Sequence, residues 1–193
     1  VRTRVGRNAP LPHRLWLVDI DQAKASELKF DALPGIGVDP LAELRKAAKL
    51  EPLKGERPVR IETDGDGTGP AIHWSADGRT AAVLIRAIDN KDRWIATVDA
   101  GISAPTPNPQ PAPVLRPRHR LTDPAWINWN YNEFGWLRDG RTLWYLSEES
   151  GWSHLYTLAL DNAAKPRALT SGKWEVSAPA LSADGARFRF LCN

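Results

Sequence analysis

Sulfur is nearly missing from this chain: one of its 193 residues is a cysteine, Cys192, and none is a methionine. A single thiol excludes an intrachain disulfide. The four histidines, 13, 73, 119 and 154, show no close ligand spacing, so no zinc pattern or other metal site is expected. No apolar run approaches the roughly 20 residues that a membrane-crossing helix needs, so no membrane span is expected in this stretch. An excess of one charge is lacking too, since 26 basic against 23 acidic side chains leave a net charge of +3. The one basic cluster, Arg116-Pro117-Arg118-His119-Arg120, has no interleaved aromatics. It reads as a solvated, Pro-rich loop, and nucleic acid is not expected as a partner.

What the chain does have is tryptophan, nine in all, and a recurring turn. Phe134 to Asp161 reads as three short strands joined by tight turns, with Asp139-Gly140 and Ser150-Gly151 supplying the positive φ that narrow hairpins demand. Between the turns, Thr142 to Leu146 and Leu155 to Leu158 are β-branched, aromatic and aliphatic runs. Ala71 to Thr80 repeats the layout of an apolar strand end, Trp, two residues and Asp-Gly, and Pro179 to Gly185 begins a third copy with the same Asp-Gly turn. The closing strand recurs at Arg14 to Asp19, Arg93 to Asp99 and His154 to Asp161.

A meander cannot bury both of its faces alone, so repeated meanders are expected to stack. The fold class is therefore all-β: a partial β-propeller of four-stranded antiparallel blades, with one short helical insertion near 40–50. The expected division is a blade end at 1–30, an insertion at 31–57, a blade at 58–101, a Pro-rich insertion at 102–120, a blade at 121–171 and a truncated blade at 172–193. Roughly three blades are too few to close a propeller, so the chain reads as an internal piece of a longer protein whose open edges favour self-association.

Three local features complete the outline. Asp39 looks like an N-cap with Pro40 at the first helical position, and Leu41, Leu44, Ala47 and Ala48 lie along one face of a short helix packed on the propeller rim. The Asp64–Pro70 loop lacks the Gly and Glu positions of an EF-hand and has neither the Lys-Ser/Thr nor the helix of a phosphate loop, so it reads as a plain turn. Six prolines between Ser103 and Arg120 exclude a central strand and mark a surface excursion.

Candidate chemistry is sparse. Gly151-Trp152-Ser153 resembles the start of a nucleophile elbow, but His154-Leu155 follows and the run continues as a strand, so no catalytic residue is assigned. Glu148-Glu149 could be an acid pair or an amine-binding site, though a hairpin turn with carboxylates in solvent or bonded to turn amides is the simpler reading. Trp126, Trp129 and Tyr131 either line a pocket and stack on a ligand or fill core between blades.

The run Leu146 to Tyr156, with Leu169 to Val176 downstream, resembles the propeller of the dipeptidyl peptidase IV family in the prolyl oligopeptidase class. Leu84 to Asp99 and Val5 to Ala9 are similar to other stretches of that family, whereas 31–70 and 102–120 read as insertions. The resemblance implies a non-catalytic propeller that caps an α/β-hydrolase domain of the same polypeptide and admits only short peptides. The full-length enzyme would be a serine-type dipeptidyl peptidase removing N-terminal dipeptides, often after Pro or Ala, without a cofactor. Its triad would lie after this chain and its amine-binding glutamates before it, so Glu148 and Glu149 are not those glutamates. The aromatic loop at 126–130 aligns with a family loop lining the extended substrate subsite, and Trp129 and Asn130 are carried over as substrate-binding. The resemblance also favours a periplasmic or secreted location and is compatible with a homodimer of the full-length protein. The alternative is a propeller scaffold or ligand-binding module with no peptidase domain.

Overall fold

The computed structural model describes residues 11–62, 70–100, 112–128, 130–161 and 163–193. The chain forms β1 (Leu15–Asp19), β2 (Lys24–Leu28), a helix α1 (Ala42–Ala47), β3 (Val59–Ile61), β4 (Ile72–Trp74), β5 (Thr80–Ala87), β6 (Asp92–Asp99) and β7 (Arg116–Thr122). It continues with β8 (Phe134–Trp136), β9 (Thr142–Ser147), β10 (His154–Ala159), β11 (Arg167–Ala168), β12 (Val176–Leu181) and β13 (Phe188–Cys192). Every recorded pairing is antiparallel. The strands make four sheets in chain order: the hairpin β1–β2, the sheet β3/β4–β5–β6–β7, the sheet β8–β9–β10–β11 and the hairpin β12–β13. In the second sheet β3 and β4 share one edge of β5 end to end, β3 beside Ile85–Ala87 and β4 beside Ala81–Val83.

Strand alternation explains why these sheets stack. Ala81, Val83, Ile85 and Ala87 of β5 join Trp94, Ala96 and Val98 of β6 in one buried cluster with Leu15 and Leu28 of the first hairpin. The intervening residues Ala82, Leu84 and Ile95 point the other way and pack on Phe134, Leu143, Tyr145, Tyr156 and Leu158 of the third sheet. On that sheet's far face Leu146 and Leu155 meet Tyr131 and Val176, with Trp174, Phe188 and Phe190 against them. Each of the two inner sheets thus lies between its neighbours in chain order, as successive blades of a partial β-propeller do.

The Asp-Gly turns fall where the repeat places them. Gly78, Gly140 and Gly185 adopt φ of 68°, 62° and 72°, a region that side-chain-bearing residues avoid. In the first and third copies a serine braces the turn: Ser75 Oγ donates to Asp77 at 2.7 Å and accepts from Thr80 N–H, and Ser182 does the same with Asp184 and Arg187 N–H. In the middle copy Leu137 replaces the serine, and Asp139 instead accepts from Thr142 Oγ1 at 2.6 Å.

Two expectations are corrected. Arg116 to Arg120 is not a solvated loop: it forms most of β7, which pairs with β6 along the outer edge of the second sheet. Pro117 is tolerated because the strand is an edge and its register shifts opposite Ile95 and Ala96. Along β7, Arg118 reaches across to Leu160 O at 3.0 Å, His119 is buried, and Arg120 pairs with buried Asp92 at 2.6 Å. The helix also differs. It begins at Ala42 without a side-chain cap, because the Asp39 carboxylate is engaged on Leu41 N–H and on Arg45. None of its residues is buried, and Leu44 is 68% exposed. The excursion is anchored by its preceding turn instead: Leu33 and Ile36 enter the core, Trp94 Nε1 donates to Pro34 O at 3.0 Å, and Arg57 bridges Gly35 O and Asp92. Asp64 to Gly69 lies outside the described residues.

Candidate functional site

In the connection from β7 to β8, residues 123–128 lie against the β5–β6 and β9–β10 turns, bonded to Asn90, Lys91 and Glu148. The sequence builds it from polar braces around one apolar anchor. Asp123 folds the entry by accepting from Ala125 N–H at 2.6 Å and Trp126 N–H at 2.8 Å. Lys91, from the β5–β6 turn, donates to Pro124 O at 2.7 Å and to Ala125 O. Ile127 is buried, and its N–H donates to Asn90 O at 2.9 Å. Asn128 N–H donates to Glu148 Oε2 at 3.2 Å, and Asn128 Oδ1 accepts from Asn130 N–H at 3.1 Å.

The far side of the loop is held by two arginines. Arg86 on β5 and Arg93 on β6 are direct cross-strand partners, and both are buried. Arg93 donates to Tyr131 O, to Asn132 Oδ1 at 3.0 Å and to Leu146 O of β9 at 2.8 Å. Arg86 donates to the same Asn132 oxygen at 2.8 Å and to Asn128 O at 3.3 Å. Burial, with the neighbouring Arg86 charge, brings the Arg93 guanidinium down to about 10. Tyr131 donates its hydroxyl to Glu175, and burial together with that carboxylate pushes its phenol up to about 12.

Beside the loop lies a cavity of about 420 Å³ lined by Trp126, Asn128, Glu148 and Glu149 among others. The two glutamates differ. Burial raises Glu148 above the ordinary carboxyl range, whereas the hydrogen bond from His119 lowers Glu149. The His119–Glu149 contact is 2.8 Å, and the imidazole lies on the Tyr145 ring with centroids 4.5 Å apart. Among the described residues neither carboxylate accepts from an amide of its own hairpin turn; Glu148 braces the loop and Glu149 braces β7.

The three aromatics singled out in the sequence part company. Tyr131 is buried in the core, Trp126 is 60% exposed, and Trp129 lies outside the described residues. Asn130 is exposed. Ser153 is fully buried and donates to Val176 O at 3.0 Å, while the His154 ring nitrogens engage Thr170 and Gly172 O, both at 3.1 Å. Gly151-Trp152-Ser153 therefore runs straight into β10 and forms no nucleophile elbow. Among the described residues no three His, Cys, Asp or Glu side chains come together as a metal site, and no helix is long and apolar enough to cross a membrane. Arg86 and Arg93 escaped the sequence reading, although charged residues at core-facing registers of two apolar strands were the available signal.

Residues 54–190, well over half of the chain, match the model of the dipeptidyl peptidase IV (DPP IV) N-terminal region. The chain belongs to this family. Among solved structures it is similar to a candidate dipeptidyl aminopeptidase IV from Bacteroides ovatus, at 14% identity and a TM-score of 0.52 over 86% of this chain and 20% of that one. It thus spans about a fifth of that protein's length, and at this identity the likeness concerns the fold. TolB from Acinetobacter baumannii, at 20% identity over 62% of this chain and 25% of that one, has a TM-score of 0.44, too low to carry an argument. No curated protein matches the chain.

Proposed function

We propose that this DPP IV-family chain is the non-catalytic propeller portion of a serine exopeptidase that removes N-terminal dipeptides, often after Pro or Ala. The observation that carries this reading is the family match across 54–190. In the proposed enzyme the propeller shapes the substrate pocket and keeps large folded substrates from a serine nucleophile on another domain of the same polypeptide. Trp129 and Asn130 belong to the loop that lines its extended substrate subsite, and the clamping of the neighbouring residues Asn128 and Tyr131–Asn132 supports such a role. A loop fixed before binding costs less ordering when a peptide arrives.

The test compares the intact polypeptide with residues 1–193 alone. The intact polypeptide is expected to release a dipeptide from an Xaa-Pro reporter and to be blocked by a serine-directed reagent, while this chain shows no turnover. Reagent-sensitive turnover by the isolated chain, or none by the intact polypeptide, overturns the proposal; the second result favours a binding scaffold.

A further inference from the structure

The three Asp-Gly turns of the repeat contain an internal comparison. Each closes in the same way: the glycine N–H donates to the backbone oxygen three residues before it, on Ser75, Leu137 or Ser182, and the aspartate accepts from the N–H of the residue after the glycine at 2.9 or 3.0 Å. That residue is Arg79 in the first copy, Arg141 in the second and Ala186 in the third. Since the Ala186 copy makes the same bonds, the turn does not need a guanidinium. Both arginines are exposed, and among the described residues neither side chain makes a hydrogen bond or an ion pair.

What the two arginines share is a groove. The first two turns pack together, with Ser75 and Ala76 atoms 3.8 and 3.9 Å from the place a β-carbon on Gly140 would take. Beside them, against the ends of β6 and β10, opens a cavity of about 770 Å³ that Arg79 and Arg141 line and Ala186 does not. Small-molecule sites span roughly 300–1,000 Å³. The groove lies at the Thr80 and Asp99 ends of β5 and β6, so the length of β5, roughly 23 Å, separates it from the 123–128 loop. The other charges on its walls are committed. Arg118 donates to Thr97 Oγ1 at 2.8 Å and to Leu160 O at 3.0 Å. Asp77 and Asp139 close their own turns, Asp99 pairs with Arg116 at 3.5 Å, and Asp161 accepts from Ala163 N–H at 3.2 Å. Four aspartates beside three arginines repel a polyanion. A single carboxylate suits the two planar donor forks, and a positive group on the same ligand is drawn to the aspartates.

We propose that this groove between the second and third sheets binds a short peptide with both termini free, its carboxylate on Arg79 and Arg141 and its ammonium group towards the aspartates. The site is independent of the peptidase reading, since it uses neither the 123–133 connection nor a residue of another domain.

The test uses the intact polypeptide, treated with a serine-directed reagent so that no hydrolytic centre competes, and three probes: glycylglycine, its C-terminal amide and its N-acetyl form. Glycylglycine is expected to slow amide hydrogen exchange at 77–80 and 139–142, while both blocked forms bind at least about tenfold more weakly. Arg79→Gln and Arg141→Gln should each weaken glycylglycine binding about threefold or more, and the double variant at least about tenfold, with Tm within about 2 °C of wild type because the Ala186 turn forms without an arginine. No slowing at these turns with glycylglycine, equal binding of the amide, or undiminished binding in the two single variants would overturn the proposal. Equal binding of the N-acetyl form would overturn it too, since the groove would then take any carboxylate.

Discussion

Trp136 on β8 donates its indole N–H to the carbonyl oxygen of His73 on β4 at 2.8 Å. Two adjacent sheets are thereby joined through the edge strands β4 and β8 by a side chain that belongs to the repeat itself, since Trp136 precedes Asp139-Gly140 as Trp74 precedes Asp77-Gly78. Trp136→Phe keeps most of the ring and loses the bond. It is expected to cost about 1 kcal/mol, which lowers Tm by about 2–4 °C for a chain of this size, measured by thermal denaturation. An unchanged Tm would show that the sheets dock by apolar contact alone.

Tyr145 offers the opposite sign. Its ring lies between His119 and Tyr156, with centroids 4.5 and 5.7 Å away, yet its buried hydroxyl has no partner among the described residues. Burial pushes its phenol well above the ordinary range. Tyr145→Phe keeps both ring contacts and removes a desolvated polar atom, so stability should hold or rise by up to about 1 kcal/mol. Tyr145→Ala, which empties the same space between the sheets, should cost about 3–5 kcal/mol. Urea titration of both variants checks the pair, and a Phe variant as damaged as the Ala variant would contradict it.

These two residues mark where sequence reading works and where it stops. The Asp-Gly turns, the alternation along β5, β6, β9 and β10, and the stacking of repeats are local or periodic signals, and each has a direct structural counterpart. Strand β7 was hidden because six prolines within 18 residues outweigh a short edge pairing whose register shift accommodates Pro117. The Arg57–Asp92–Arg120 ion pairs and the Arg93–Asn132 bond join residues 28 to 39 positions apart, at spacings that no turn or helix rule anticipates. In the candidate site the sequence singled out the 126–131 stretch through its aromatics. The groups that hold that loop, Lys91, Arg86, Arg93 and Glu148, come from strands and turns of two different sheets.

The paired glutamates should titrate in opposite senses. Glu149 is held below the ordinary carboxyl value of about 4.3 by His119, so its contribution is fully present above that pH and is lost as pH falls through its lowered pKa. The stability gap between wild type and Glu149→Gln should therefore shrink between about pH 5 and pH 3. Glu148 is raised by burial, so its ionisation costs stability as pH climbs above the ordinary carboxyl value. Glu148→Gln keeps an oxygen for Asn128 N–H and should match or exceed wild type near neutral pH. Urea midpoints from about pH 3 to about pH 7 test both signs, and parallel curves for wild type and Glu149→Gln would contradict the first.

Ser153 separates fold from chemistry. Its hydroxyl donates to Val176 O at 3.0 Å while Val176 N–H donates to Ser153 O at 2.8 Å, so the residue stitches the start of β10 to the start of β12. Ser153→Ala leaves the backbone bond and removes the side-chain one, with an expected cost of about 1 kcal/mol in urea unfolding. In the intact polypeptide, turnover of an Xaa-Pro reporter per folded molecule should be unaffected, and a serine-directed reagent should still inactivate the variant. The reason is steric as well as electronic: the hydroxyl is fully buried, and the adjacent imidazole of His154 is engaged with Thr170 and Gly172 O, leaving no base to take a proton from it. Loss of turnover in a variant whose unfolding midpoint is intact would place the nucleophile in this propeller and overturn the proposed division of labour between it and a hydrolase domain.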